Sequence, residues 1–467
     1  MDTAAAEREL LARIAGARRS EAIRPRAAGV RSVVASHGQQ QLWLMDQINP
    51  GSREYVYPEA IRLTGALDPD ALRAAFVRLV ERHEVLRTRF VLDDDGVVVQ
   101  LVDEAARVPF EYRDQADLGG ESLRALADRQ VRELVAEPFD LEAGPLLRLR
   151  LTRLAPDEHL LTLVVHHIVC DGWSLGVIAR ELPLHYEAAR TGRASDPAPP
   201  AIQYADFSIW QQSEAQEHRL EPQIAFWHKY LAGFEPFDLP TDLPRPATRS
   251  GHGEALRVPL PGGLSARVSE LAQELRVTPY MCYLAVYHLL LSSLSGATDI
   301  AVGTPVSGRV RAETEDLIGY FVNTVVVRTD TSGALSFADY LGRVRTACLD
   351  AFSHQDVPFA RLVDEFRVAP DLSRTPLVQH AFVYSAGLAS AWDLPYVRCE
   401  NLRPEMHIAK CDLSISLSES EAGGSVRIEY STDLFRQSTA ETIGAQFLAL
   451  AGTVLDRPHA RLERGTP

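Results

Sequence analysis

The sequence predicts a mixed α/β fold built from two lobes. Its 467 residues exceed what one compact core usually holds. Helix and strand patterns are interspersed along both halves, and several strand patterns are adjacent, which favours α/β sandwiches over a doubly wound parallel sheet. Residues 191–201, rich in Pro, Ala and Gly, are the best candidate for a linker. We therefore predict an N-terminal lobe over residues 1–190 and a C-terminal lobe over residues 191–467.

Hydrophobic periodicity defines the elements of the first lobe. Residues 1–22 have the pattern of a charged amphipathic helix, without the apolar stretch of a signal peptide. Further elements are predicted as helices over residues 39–47, 69–82 and 174–190, and as strands over residues 55–63, 97–102, 146–154 and 159–165. The last two strands should form a hairpin, because only the polar turn 155–158 separates them.

The second lobe repeats this style. Its predicted helices cover residues 265–275, 279–295, 337–352, 358–366 and 440–455. Its predicted strands cover residues 299–303, 321–328, 378–384, 411–418 and 426–430. No short repeat is visible, although two lobes of similar style are compatible with an old duplication.

Composition excludes several classes of protein. With 46% hydrophobic and 24% charged residues the chain resembles an ordinary globular protein, and a net charge of -15 argues against nucleic-acid binding. No apolar run approaches the 18 residues of a membrane span. Five cysteines without CxxC spacing indicate reduced thiols, so we expect a cytoplasmic protein without a disulfide framework or zinc site.

The densest group of reactive side chains is HHIVCDG at residues 166–172. His166 and His167 end an apolar strand, and because strand side chains alternate between faces the two rings should point to opposite sides. Such a pair makes a poor metal site, and no third ligand follows at zinc-like spacing. The simpler interpretation is two structural histidines beside the turn-forming Asp171 and Gly172.

Two other motifs compete with this cluster. Residues 172–176 match G-x-S-x-G between a strand and a helix, which would make Ser174 the nucleophile of an α/β-hydrolase. Ser265 in GGLS is similar to the phosphopantetheine-accepting serine of carrier proteins, but its place at a helix start favours an N-cap. The sequence has no Walker A loop, no G-x-G-x-x-G after a strand and no H-E-x-x-H, so neither ATP nor nicotinamide use is indicated.

The 166–172 cluster resembles the HHxxxDG signature of condensation domains from nonribosomal peptide synthesis, in the superfamily of chloramphenicol acetyltransferase. Six further blocks occur in the family's order: SHGQQQLW (36–43), RHEVLRTRF (82–90), YADFSIW (204–210), IGYFVNT (318–324), HQDVPF (354–359) and DLSRTPL (371–377). The chain departs from the family pattern at Gly38, Gln41 and Ala360, where Ala, Arg and an acidic residue are usual.

The resemblance implies two acetyltransferase-like sandwich lobes in a V-shaped pseudo-dimer, with a central tunnel. The donor would be an acyl or aminoacyl thioester on a carrier protein's 4'-phosphopantetheine, and no cofactor would be bound. The acceptor would be a small alcohol or amine, with neither nucleic acid nor membrane as partner. The ends of the chain add the expectation of a free-standing enzyme, similar to those that acylate an alcohol in enediyne pathways.

The resemblance also assigns roles around the two histidines. His167 would face the tunnel as general base or as positioner of the nucleophile, and its ordinary pKa near 6.5 suits proton transfer at cellular pH. His166 would be buried and structural. Asp171 would fix the loop that presents His167, with Arg82 as its ion-pair partner.

The same resemblance implies roles for four more residues. The Gly172 amide is a candidate donor to the tetrahedral oxyanion, since a missing side chain lets backbone approach the substrate. Asn323 is expected to line the tunnel. Trp173 and Ser174 would begin the next helix, with a structural role for Ser174.

Alternative functions remain open at this point. An epimerisation domain shares the histidine motif but needs a dedicated acid, and a heterocyclisation domain replaces the first histidine, which this chain keeps as His166. A coenzyme A-dependent acyltransferase is the strongest enzymatic alternative. A catalytically degenerate scaffold domain is the non-enzymatic one, although such domains commonly lose the histidine that stands here as His167.

Overall fold

In this computed structural model the described residues are 22–115, 120–193, 198–333, 336–368, 371–386, 392–420 and 423–462. The helix predicted over residues 1–22 therefore falls, up to residue 21, outside the described part of the chain. Helices and strands alternate along both halves, so the predicted mixed α/β class is confirmed.

The strands in this part of the chain are β1 Ser32–Val34, β2 Val56–Gly65, β3 Thr88–Leu92, β4 Val98–Val102, β5 Phe110–Asp114, β6 Leu147–Ala155, β7 Glu158–His166, β8 Gly253–Pro259, β9 Asp299–Val306, β10 Asn323–Asp330, β11 His380–Ala386, β12 Val397–Asn401, β13 Leu413–Ser420 and β14 Gly423–Ser431. The α-helices are α1 His37–Ile48, α2 Pro69–Arg82, α3 Leu123–Leu134, α4 Gly172–Thr191, α5 Tyr204–Gln211, α6 Glu214–Tyr230, α7 Leu264–Leu275, α8 Pro279–Ser295, α9 Phe337–Ser353, α10 Phe359–Glu365 and α11 Gln437–Asp456.

Two large mixed sheets organise these elements. The first has the order β12-β2-β7-β6-β5, and the second has the order β10-β9-β11-β13-β14-β8. Most neighbours are antiparallel, but β5 runs parallel to β6, and β11 runs parallel to both β9 and β13. A small sheet, β1-β4-β3, completes the first half. This arrangement agrees with packed sandwiches and differs from a doubly wound parallel sheet.

Helix α2 shows how local sequence positions the first core. Asp68 caps the helix by accepting hydrogen bonds from the amides of residues 70 and 71, and Pro69 occupies the first helical turn, where no amide donor is needed. Leu72, Phe76 and Leu79 recur at helical spacing and are buried. Burial of each such side chain contributes about 1.5–3 kcal/mol, which fixes α2 against α4.

Two segments of the second half pack into the first half. Strand β12 pairs antiparallel with β2, with Val397 opposite Gly65. Leu317, Ile318 and Phe321, between β9 and β10, belong to the hydrophobic core of the first half. The division at residues 190 and 191 stays a prediction, and these crossings tie the two halves together beside the histidine motif.

The hairpin of β6 and β7 delivers that motif. Its register places Leu147 opposite Val165, and the neighbouring strand β2 places Val56 opposite His166. The hairpin is the one predicted from the polar turn at residues 155–158. Its strand β7 is buried throughout except at its first residue, as expected for a strand covered on both faces.

All five cysteines are free thiols, as predicted from their spacing. Over the described ranges no single helix is both long and apolar enough to cross a membrane. One pair, Leu264–Leu275 with Pro279–Ser295, meets that test of length and composition together, but it is bent by 103°.

Candidate active site

The two motif histidines diverge at the end of β7. The strand ends at His166, and a short 3-10 turn over His167–Val169 leads to α4. The ring of His166 is buried against Phe139, and burial lowers its pKa to about 3. The ring of His167 instead meets Tyr57 and Tyr320 edge-on, at centroid distances of 5.4 and 6.1 Å. The predicted opposite orientation is therefore what the structure has.

The hydrogen bonds of His167 define its proton positions. Nδ1 lies 3.1 Å from the carbonyl oxygen of Cys170. Because a carbonyl only accepts, Nδ1 must carry the proton and Nε2 must hold the lone pair. Burial first, and then Lys410 and His166, place the pKa of His167 well below its usual value, so the ring is neutral at neutral pH. A neutral imidazole with an unprotonated Nε2 has the form that a general base requires.

Lys410 faces this nitrogen. Its Nζ lies 3.4 Å from His167 Nε2 and 5.8 Å from the ring centre of Tyr55. The Lys410 side chain is exposed and His167 is half-buried, yet burial lowers the pKa of both. His167 thus keeps part of its surface accessible, and its Nε2 faces the exposed side chain of Lys410.

Asp171 lies beneath this site in a closed ionic network. Its side chain is 0% exposed and pairs with Arg309, which is 1% exposed, at 3.1 Å. It also accepts hydrogen bonds from the amide and hydroxyl of Ser174 and from the amide of Phe321. Asp171 thus caps α4 and joins it to the segment between β9 and β10. Its oxygens all bind protein groups, which agrees with a structural role.

The predicted partner of Asp171 was wrong. Arg82 instead pairs with Glu181 of α4 at 3.0 Å, and Glu181 also contacts His83 at 2.7 Å. Both arginines pair with an acidic residue of α4 or of its N-cap. Arg82, the last residue of α2, contacts the side of α4 and not its N-terminus. Arg309 lies 138 residues beyond Asp171 in the chain and reaches it only through the fold.

Ser174 has no properties of a hydrolase nucleophile. Its side chain is fully buried, and its Oγ lies within hydrogen-bond distance of Asp171, Arg309 and the backbone of Gly319. A hydroxyl used in this way supports the helix start. Trp173 also joins the two halves, because its indole Nε1 donates to the carbonyl of Glu315 at 2.8 Å.

Gly172 has open space beside it, whereas the side chain of Asn323 is hydrogen-bonded on all sides. A Cβ at Gly172 would meet no atom within 4 Å, so a substrate could approach the backbone on that side, and the first amides of a helix have no intrahelical acceptor. Asn323 donates to the carbonyls of Gln355 and Val357 and accepts from the amides of Thr324 and Phe359. Its hydrogen-bonding capacity is then full. Its amide therefore holds the 355–359 loop, and the expectation that Asn323 lines a tunnel stays a prediction.

Sequence reasoning missed four residues of this site: Tyr57, Arg309, Tyr320 and Lys410. Tyr320 lies inside the recognised IGYFVNT block, and Tyr57 lies two residues after the start of a predicted strand, but neither pattern indicated a contact with His167. In the described ranges no group of three or more His, Cys, Asp or Glu side chains lies where it could hold a metal ion.

With this geometry established, comparison with known proteins identifies the class. The family model for the condensation domain matches residues 31–466, and the chain belongs to that family. A linear gramicidin synthase of Brevibacillus parabrevis is 38% identical over 432 residues, which are 92% of this chain and 8% of that protein. The chain thus spans less than a tenth of the length of the first curated relatives that it matches.

Solved structures support the same fold. The X-domain from teicoplanin biosynthesis is 30% identical with a TM-score of 0.85, covering 94% of this chain and 98% of that one. SgcC5 from Streptomyces globisporus is 29% identical with a TM-score of 0.76, covering 92% and 100%. The chloramphenicol acetyltransferase-like fold predicted from the motifs is confirmed, and a V-shaped pair of lobes is consistent with these neighbours.

Proposed function

We propose that this chain transfers an acyl or aminoacyl group from the phosphopantetheine thiol of a carrier protein to an alcohol or amine. The acceptor's oxygen or nitrogen attacks the thioester carbonyl, and its proton passes to His167 Nε2. The C–S bond of the tetrahedral intermediate then breaks, and the departing sulfur takes that proton. The products are an ester or amide and the free carrier thiol. Since a thioester is already activated, no ATP is needed.

The observation that carries this proposal is the tautomer of His167. Its Nδ1 is committed to the carbonyl of Cys170, and its unprotonated Nε2 faces the exposed side chain of Lys410. A general base contributes typically 10²–10⁴-fold to such a reaction. The ring cannot tilt freely, because Tyr57 and Tyr320 pack against it. The Gly172 amide is proposed as the donor to the oxyanion, and Asp171 as the anchor of the turn that carries both groups.

The acceptor is proposed to include alcohols. SgcC5 was solved in complex with (R)-1-(2-naphthyl)-1,2-ethanediol and sucrose, and it covers nearly the whole of this chain. The curated relatives, in contrast, are peptide synthetases, whose acceptors are expected to be amines. An alcohol is less nucleophilic than an amine at neutral pH because it stays protonated, so ester formation should depend more on the base.

The test is a transfer assay with a discrete carrier protein loaded with an acyl or aminoacyl group. Two acceptors of the same shape are offered, a diol and the matching amino alcohol, and products are identified by mass spectrometry. Wild type should form the ester, the amide or both, and His167→Ala should lower turnover by about 10²–10⁴-fold. The loss should be greater for the ester. Equal losses for both acceptors would mean that His167 positions the nucleophile without deprotonating it.

Two alternatives are tested in the same assay. Equal or better use of an acyl-coenzyme A, with no use of the loaded carrier, would identify a coenzyme A-dependent acyltransferase. A scaffold function has one specific observation in its favour: the similar X-domain was solved in complex with OxyB. Absence of any transfer by the folded wild-type protein would favour that second function.

A further inference from the structure

Lysine is almost absent from this chain. Of its 48 lysines and arginines, two are lysine, Lys229 and Lys410, and all the others are arginine. Lys229 lies exposed in the last turn of α6. Lys410 lies in the segment before β13, and its ammonium faces His167. Arginine presents a planar fork of donors, whereas lysine presents a compact point charge that fits beside a single acceptor atom.

The contact between Lys410 and His167 has only one chemically sensible arrangement. Because Nδ1 donates to Cys170, Nε2 is an acceptor, and the ammonium of Lys410 at 3.4 Å is a donor without acceptor capacity. Lys410 therefore donates to the lone pair that the proposed reaction uses. A proton on Nε2 would place two cations at this separation, which is unfavourable in surroundings of low dielectric constant.

Two acidic residues near the pair favour the charged form of Lys410. Glu54 and Glu429 raise its pKa and oppose the lowering by burial, while Arg427 lowers it, and the backbone amide of Lys410 lies 3.4 Å from Glu429 Oε1. Around His167 itself, the titratable neighbours are His166 and Lys410, with the phenols of Tyr57 and Tyr320. Burial raises the pKa of both phenols and keeps them neutral. Among these groups, Lys410 is thus the one cation in contact with the ring.

We propose that Lys410 is a positioning residue that holds His167 as a free base by donating to Nε2 until an acceptor takes the place of the ammonium. The acceptor's O–H or N–H then takes the place of the ammonium as donor to Nε2. This proposal rests on the proposed transfer function for its kinetic consequence. The contact itself does not depend on that function, so the two are tested by separate measurements.

The kinetic measurement is the pH dependence of kcat/KM for Lys410→Met, which keeps the length of the side chain and removes its charge. The acid limb should move to higher pH, because one cause of the low pKa of His167 is gone. The ratio of activity at pH 5 to that at pH 8 should fall by about threefold or more, which corresponds to half a pH unit. Lys410→Arg should restore much of the acid limb, and Lys229→Met should behave as wild type.

The second measurement uses the scarcity of lysine. Protein labelled with 13Cε-lysine should give two lysine signals, and Lys229→Arg assigns them. Replacing His167 by alanine should change the titration of the Lys410 signal and leave that of Lys229 unchanged. This result is expected even if the protein transfers no acyl group, so it distinguishes failure of this proposal from failure of the proposed function.

Three outcomes would overturn the proposal. One is a Lys410 signal that does not respond to His167→Ala. Another is a Lys410→Met variant with the wild-type acid limb and turnover. The third is a large loss of turnover in Lys410→Met with an unshifted acid limb, which would mean that the ammonium acts on the oxyanion and not through His167.

Discussion

Removal of the Asp171 carboxylate is the strongest test of how the site is supported. In the wild-type protein neither side chain of the pair is more than 1% exposed. In Asp171→Ala the buried guanidinium of Arg309 therefore loses its counter-ion. Breaking a buried pair in this way costs about 3–5 kcal/mol, and loss of the cap on α4 adds about 1 kcal/mol. For a folding unit of 150–250 residues the combined loss of about 4–6 kcal/mol corresponds to a fall in Tm of roughly 8–24 °C.

The fold provides a matched control between the same two segments. Arg180 of α4 pairs with Asp316 at 2.8 Å, but their side chains are 55% and 81% exposed. Asp316→Ala should therefore change the free energy of unfolding by less than about 1 kcal/mol. Urea unfolding measures both variants, provided that their m-values agree with that of wild type.

A double variant separates the ion pair from other effects. Arg309→Met in the Asp171→Ala background removes the orphaned charge, so the double variant should be more stable than the sum of the two single losses predicts. If Asp171→Ala is as stable as Asp316→Ala, the argument for a buried anchor is refuted. A simple sum of the two single losses would equally contradict direct coupling between the two side chains.

Two further predictions concern the buried histidines and the packing of Tyr320 against His167. Burial lowers the pKa to about 3 at each of three buried histidines, His166, His288 and His380. Their folded-state pKa lies below the unfolded value near 6.5, so their stabilisation is complete above pH 6.5 and is lost as the pH falls towards 3. At pH 5 the unfolded chain binds a proton at each of these histidines, which lowers the free energy of unfolding by about 2 kcal/mol per histidine. Urea unfolding at pH 7 and pH 5 should detect this loss, and the loss should be smaller in His288→Gln. In Gly38→Ala the new Cβ would lie 2.9 Å from the ring of Tyr320, so the ring should shift and turnover should fall several-fold. The control is Gly176→Ala, whose new Cβ would meet no atom within 4 Å and which should retain activity. Both substitutions favour a helix by about 0.5–1 kcal/mol, so equal activity of the two variants would count against a role for Tyr320.

The fold was predictable where sequence alone determines an element. Helices at residues 69–82 and 279–295 have the predicted bounds, because Asp68 and Thr278 cap them and a proline follows each cap. Helix α3 was missed although Ser122 caps it and its buried residues recur at helical spacing. Strand β12 was missed for a different reason: its pairing with β2 joins residues more than 300 positions apart, and its own alternation is weak.

The candidate site also combines features that local sequence predicts with features that only the fold determines. The histidine motif predicted the positions of His166 and His167 correctly, since strand alternation is a local property. The partner of Asp171 was not predictable in this way, because the chain has many arginines of equal chemistry and only the fold selects Arg309 over Arg82. Lys410 could have been noticed as one of two lysines in the chain, but nothing in its neighbouring sequence indicates contact with a histidine 243 residues away.

The surroundings of His167 explain why its motif is insufficient evidence for activity. The ring is held by Tyr57 and Cys170 from the first half of the chain, and by Tyr320 and Lys410 from the second. The state of its reactive nitrogen therefore depends on the position of one half relative to the other. A chain can keep both histidines and still lose the free base, if the contacts across the halves change. Assigning activity to a related chain thus requires its counterparts of Tyr320 and Lys410 in addition to the motif.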